Sequence, residues 1–421
     1  MGFAIRVPAK GGPARIYRLP ALSEIPNGLR ARVPPVQRVV GLDPESAFLF
    51  LLTAKKELLA CDLESGRLDT VATAVEQATL GPDGTLYAVD DKRRVISLAR
   101  RVRFAWPQPL AAVPTELFGA TDQRLVAVIR RDSGRLVTAA PDQPPSSREL
   151  ALRGDVAASL WGDLLAVASD SGVTLVDPLG RRDPVFIPIA DHPRALVFSP
   201  AGHRVYVARR TGLGLAVIDR FELREIDGVG LPGPAATIRL DPSGRWLLAR
   251  PALGDSVWVV DLPVKALLGG VATSWHADLP AIASDGTLLV EQSGDVVALR
   301  ADSVKETGRV RGGGEDLWVA TMWRTRRAGS AIEAPVVAVG AEAGGDGPLY
   351  VQVSVSQNQT WSTEMAQQLS RAGLAASVLP PPPGRPDDGF RVVLGPYPTR
   401  AQAEAIGRKL GRPFWIYQPE P

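Results

Sequence analysis

Gln352, Ser354, Ser356 and Arg391 stand near the C-terminal end, inside two alternating stretches. These are Tyr350-Val351-Gln352-Val353-Ser354-Val355-Ser356 and Phe390-Arg391-Val392-Val393-Leu394-Gly395-Pro396-Tyr397. A glutamine amide donates to and accepts from amides and hydroxyls, and a guanidinium forks onto a carboxylate. Apolar side chains nearby can cover the flat face of a ring; Ile416, with Phe414 beside it, is the candidate on the last strand. Together these residue types suit the binding of a polar ligand.

Catalytic and metal-binding patterns are not visible elsewhere. His192, His203 and His276 are scattered and show no metal-ligand spacing such as His-Glu-x-x-His. There is no Gly-x-Ser-x-Gly elbow and no phosphate-cradling Gly-x-x-x-x-Gly-Lys loop. Asp90-Asp91 and Asp387-Asp388 fall in turns, where aspartate is favoured for backbone reasons. The reading therefore assigns no catalytic residue, no metal and no cofactor.

The elements that must carry the four polar residues can be read from periodicity. Strict alternation puts Tyr350, Gln352, Ser354 and Ser356 on one face of a strand and Val351, Val353 and Val355 on the other. Trp361, Met365 and Leu369 form the apolar stripe of a following helix, which Gly373 ends. A short strand over 375–379 comes next, and Pro380 to Pro383 then form an extended connection closed by Asp388-Gly389. In the third strand Phe390, Val392 and Leu394 point one way and Arg391 and Val393 the other. Thr399 and Gln402 open a second helix as a capping-box pair, with Ala403, Ile406 and Leu410 as its buried stripe and Gly411 as its stop. A strand over 414–417 closes the pattern. This predicts an α+β, ferredoxin-like βαββαβ domain with Gln352, Ser354 and Arg391 on its open sheet face.

This segment resembles a SPOR domain, a bacterial cell-envelope module. The resemblance implies binding to peptidoglycan glycan strands stripped of their stem peptides. It also implies that Gln352, in the first strand, and Arg391, in the Arg-Val-x-x-Gly-Pro strand, line the glycan groove. Such a glycan presents hydroxyls, acetamido groups and lactyl carboxylates. Many family members have Gly-Ser-Phe where this chain has Ser354-Val355-Ser356. The family's groove serine thus has no match in register, and Ser354 or Ser356 stands next door.

The first three hundred or so residues repeat turn signals with a period of about forty. Gly81-Pro82-Asp83-Gly84, Ser199-Pro200-Ala201-Gly202, Asp241-Pro242-Ser243-Gly244 and Ala283-Ser284-Asp285-Gly286 are examples. Each is followed by a short apolar strand and then a second strand, often ending in aspartate, as at Asp177, Asp219 and Asp261. Seven such units predict an all-β, seven-bladed β-propeller. Closure is expected to use Leu317 to Ala320 and Ile16 to Leu19. The repeat is similar to WD40-like and YVTN-type propellers at the level of architecture. The expected organisation is an N-terminal segment over 1–38 that contributes a closing strand, a propeller over 39–323, a flexible linker over 324–347 and the SPOR-like domain over 348–421.

Composition is that of ordinary globular protein, with a net charge of +3 and no long basic block, which disfavours nucleic acid as a partner. Cys61 is alone, so no intrachain disulfide forms, and it reads as a small buried apolar residue. Met1 to Arg38 is broken by prolines and shows neither a signal peptide nor a transmembrane run. An export segment upstream is therefore expected, since SPOR modules meet their ligand outside the inner membrane. The preferred reading is a non-enzymatic periplasmic or envelope protein, active at the division site, whose SPOR module binds denuded glycan and whose propeller engages a protein partner. A propeller enzyme of hydrolase or lactonase type is the alternative. A cytoplasmic propeller scaffold is the third.

Overall fold

The computed structural model describes residues 2–26, 28–43, 47–99, 102–120, 123–130, 134–141, 143–152, 154–321, 349–356, 359–371, 374–381, 389–409 and 415–418. It divides into two compact units, Met1–Thr325 and Arg326–Pro421. The expected linker over 324–347 lies outside the described residues, as do Gly373, Asp388, Leu410, Gly411, Phe414 and the side chain of Trp361.

The first unit is a β-propeller. Its middle strands read as unbroken apolar runs, such as Phe48–Thr53 and Leu86–Asp90, in which every residue is buried. Such runs suit strands covered on both faces, and each blade is covered by the blade on either side. One apolar cluster joins Phe50, Leu58 and Val71 to Leu86 and Ile96 of the following blade. Another joins Val126, Val128 and Leu136 to Leu165, Val167 and Val176.

The repeated turns have a local cause. Gly84, Gly202, Gly244 and Gly286 all adopt positive φ, between 73° and 81°, which glycine tolerates without strain. The strand-ending aspartates close the next turn by accepting backbone N–H groups: Asp177 from Leu179 at 2.9 Å and Asp219 from Phe221 at 2.8 Å.

Among the described residues this unit holds eight four-stranded antiparallel sheets, one more than the seven expected. The additional blade is assembled from both ends of the unit. Leu317–Thr321 pairs with Phe3–Val7, which pairs with Arg15–Arg18, which pairs with Ser23–Glu24. The N-terminal segment therefore supplies three strands of a blade rather than one closing strand. Trp318 anchors the joint: it is 1% exposed, its Nε1 donates to the Gly313 carbonyl at 2.9 Å, and its ring lies 5.4 Å from that of Tyr17. Arg6 Nε pairs with Asp316 at 2.6 Å across 310 residues of sequence. Ile5, Val7 and Ile16 pack on Leu49, Leu51 and Cys61 of the first complete blade, and Tyr17 and Leu19 pack on Leu289 and Ala298 of the last. The ring is thereby closed.

The second unit has the expected βαββαβ order. Its strands are Leu349–Ser356, Ala376–Leu379, Phe390–Tyr397 and Trp415–Tyr417, and its helices are Gln359–Arg371 and Arg400–Lys409. The sheet order from one edge is Ala376–Leu379, Phe390–Tyr397, Leu349–Ser356, Trp415–Tyr417, with every neighbour antiparallel. Thr399 caps the second helix, its Oγ1 accepting from the Gln402 N–H at 3.3 Å. The first helix buries Ser362, Met365, Ala366 and Leu369.

Candidate functional site

Strand pairing decides which side chains share a face, because directly paired residues in an antiparallel sheet lie side by side. One row across the SPOR-like sheet is Ala376, Leu394, Val351 and Ile416. Ala376 borders a groove with Thr363 and Ala366 of the first helix, so this row faces the helices. The next row is Ser377, Val393, Gln352 and Trp415, which faces away from them.

A bulge then interrupts the first strand. Gln352 pairs with Val393, but Ser354, two residues on, pairs with Val392, so Val353 is inserted between rows. The parity of the strand reverses there. Val378, Val392 and Ser354 make a helix-side row, and Leu379, Arg391 and Val355 make an open-face row. Ser356, paired with Phe390, returns to the helix side.

The open face therefore keeps two of the five expected residues, Gln352 and Arg391. Ser354 and Ser356 are displaced to the helix side by the bulge, which an assumption of strict alternation does not allow for. Ile416 shares the row of the fully buried Val351 and also belongs to the helix side. In its place the open face carries Trp415, 64% exposed, and Val355, 42% exposed. Tyr350 and Tyr417, which pair with each other, complete it.

Arg391 is the hub of this face. Its Nη1 donates to Gln352 Oε1 at 3.0 Å, and its guanidinium carbon lies 4.8 Å from the centre of the Tyr417 ring. Gln352 is almost fully buried, and Val393, its partner in the sheet, is completely so. An amide thus orients the guanidinium at one edge and an aromatic ring supports its plane. The arrangement fixes the plane of a cationic group on the same face as an exposed indole, which suits a ligand carrying an anionic group next to a flat apolar ring face.

Three of the propeller's perturbed ionisable groups make contacts between blades. Burial pushes the Asp163 carboxyl up, but the Arg220 guanidinium at 2.8 Å and the Ser159 hydroxyl at 2.5 Å outweigh it and hold the carboxyl below the usual carboxylate range. Burial raises Asp278, whose carboxylate accepts the Trp318 N–H. Arg239, lowered by burial, donates to the Pro280 carbonyl at 3.0 Å and lies 4.8 Å from the centre of the Trp275 ring. His192 and His276 are exposed, and His203 is partly buried on a different blade from His276. Cys61 is fully buried, and that burial pushes its thiol up to about 12, in keeping with a packing role. No helix among the described residues is long and apolar enough to cross a membrane.

Comparison with known proteins places the second unit. Residues 345–413 match the family described as the SPOR domain, so the chain carries this peptidoglycan-binding, envelope-associated module after its propeller. No curated protein matches the chain. Among solved structures, AztD from Citrobacter koseri is 13% identical with a TM-score of 0.54, over 77% of this chain and 100% of that one. An apo structure of the same protein is 14% identical with a TM-score of 0.53, over 76% and 98%. Dihydro-heme d1 dehydrogenase NirN in complex with DHE is 15% identical with a TM-score of 0.54, over 73% and 72%. At these identities the likeness is one of fold.

Proposed function

We propose that the protein is a non-enzymatic component of the bacterial cell envelope that docks on denuded glycan through the open face of its SPOR domain. The propeller presents a surface to a protein partner, and the division site is the place of action. The observation that carries this reading is Arg391, set between the Gln352 amide and the Tyr417 ring on a face that also bears an exposed tryptophan. A lactyl carboxylate meets the fork, an acetamido group or hydroxyl meets the amide, and a sugar ring lies on the indole. The test is co-sedimentation of the full chain with peptidoglycan sacculi before and after amidase treatment. Retention should rise on treated sacculi. Equal retention on both would exclude recognition of the denuded strand.

A further inference from the structure

The helix side of the SPOR sheet carries a second concavity, separate from the Arg391 face. It is an open groove of about 460 Å³ lined by Thr363, Ala366, Gln367 and Ser370 of the first helix and by Ala376 and Val378 of the edge strand. Thr363, Gln367 and Ser370 recur at i, i+4 and i+7, so one side of the helix faces the groove with two hydroxyls and an amide. All three are exposed. The floor is small and apolar, and among the described residues none of the lining carries a charge. Two backbone carbonyls are already served: Thr363 Oγ1 donates to Gln359 at 2.9 Å and Ser370 Oγ donates to Ala376 at 3.3 Å. Each hydroxyl oxygen is thus left to accept, while the Gln367 amide can both donate and accept.

We propose that this groove is a second saccharide subsite for uncharged, N-acetylated sugar units of the same glycan strand that Arg391 engages. The proposal rests on the reading of the open face as the glycan site, and it is carried by continuity with that face. The edge strand Ala376–Leu379 is a wall common to both. Ser377 and Leu379 lie on the open face, Leu379 directly opposite Arg391, while Ala376 and Val378 line the groove. The strand of Arg391 is one inter-strand spacing, roughly 4.8 Å, from this edge. A polymer leaving the guanidinium crosses Leu379 and the exposed Ser377 and enters the groove on the far side. The two stations divide the chemistry of an alternating glycan. Arg391 takes the unit that bears a lactyl carboxylate. The neutral groove takes the unit that offers only hydroxyls and an acetamido group, whose methyl fits the alanine floor.

The test measures affinities of the full chain for a denuded disaccharide and for a longer denuded oligomer, with thermal melts alongside. The double variant Thr363→Ala, Gln367→Ala should lose about threefold to tenfold in affinity for the long oligomer and keep its affinity for the disaccharide. Gln367→Trp, which fills the groove, should give the same pattern. Unchanged affinity for the long oligomer in both variants would overturn the groove as a subsite, as would equal loss on the two lengths. Failure of the wild-type chain to bind either oligomer would overturn the open-face reading and the groove with it.

Discussion

Replacing Arg391 by alanine should weaken binding to denuded glycan about tenfold to 150-fold while the domain stays folded. The magnitude follows from the contacts of the guanidinium. Its hydrogen bond to Gln352 Oε1 at 3.0 Å orients the plane of the guanidinium toward a ligand carboxylate on the open face. A hydrogen bond to a charged group contributes about 1.5–3 kcal/mol, and each 1.4 kcal/mol or so is a factor of ten. The internal loss adds roughly 0.5–1 kcal/mol for the contact with the Tyr417 ring to about 1–3 kcal/mol for leaving the buried Gln352 Oε1 unpaired, so the melting temperature should fall measurably while the domain stays folded. Arg391→Lys should restore the charge but not the fork, and so recover part of the affinity. Gln352→Ala should cost less than Arg391→Ala, because neutral hydrogen bonds contribute about 0.5–1.5 kcal/mol. The assay is a binding isotherm on purified denuded glycan at low and high salt, and the deficit of Arg391→Ala should shrink as salt rises. Unchanged affinity with an unchanged melt would remove the open face from the site. A collapsed melt would make Arg391 a structural residue.

Two further outcomes separate the faces and test the propeller. Trp415→Ala should weaken glycan binding by roughly 0.5–1.5 kcal/mol without destabilising the domain, whereas Ile416→Ala should lower the melt and leave the affinity of the folded protein unchanged; the opposite pattern would invalidate the row assignment. Burial, with Arg204 alongside, holds the His203 imidazole down to about 4, so the unfolded chain takes up a proton first as pH falls. Stability should therefore decline from about pH 6.5 down to about 4, and His203→Gln should flatten that stretch of a urea-midpoint profile. Superimposable slopes for variant and wild type would refute the assignment.

The repeat of the propeller was legible because each complete blade encodes its own turn, with glycine at positive φ and aspartate accepting N–H groups. The eighth blade was hidden because it has no local repeat. Its strands Phe3–Val7, Arg15–Arg18 and Ser23–Glu24 are divided among prolines, and its inner strand lies at the other end of the unit. In the SPOR domain, Gln352 and Arg391 could be placed because each stands on the side of the bulge where its own strand's alternation gives the right face. Ser354 and Ser356 could not, since Val-Ser-Val-Ser looks perfectly periodic while a bulge at Val353 reverses the parity. Trp415 and Ile416 were indistinguishable because Trp-Ile-Tyr contains no polar residue to mark a face. Only the pairing of Gln352 with Trp415 settles it.

The joint between Leu317–Thr321 and Phe3–Val7 also sets a timetable. A ribosome makes the three N-terminal strands of the shared blade first and their inner partner last. Until Leu317–Thr321 emerges, Phe3–Val7 has an open ladder edge, ready to pair with any strand that meets it. The pocket for Trp318 stands unfilled for the same interval. Chains released early, short of that strand, cannot complete the ring and keep the exposed edge that proteases and chaperones recognise. Because the SPOR domain follows the closing strand in the sequence, no nascent chain acquires its wall-binding module before the strand that seals its propeller has been made.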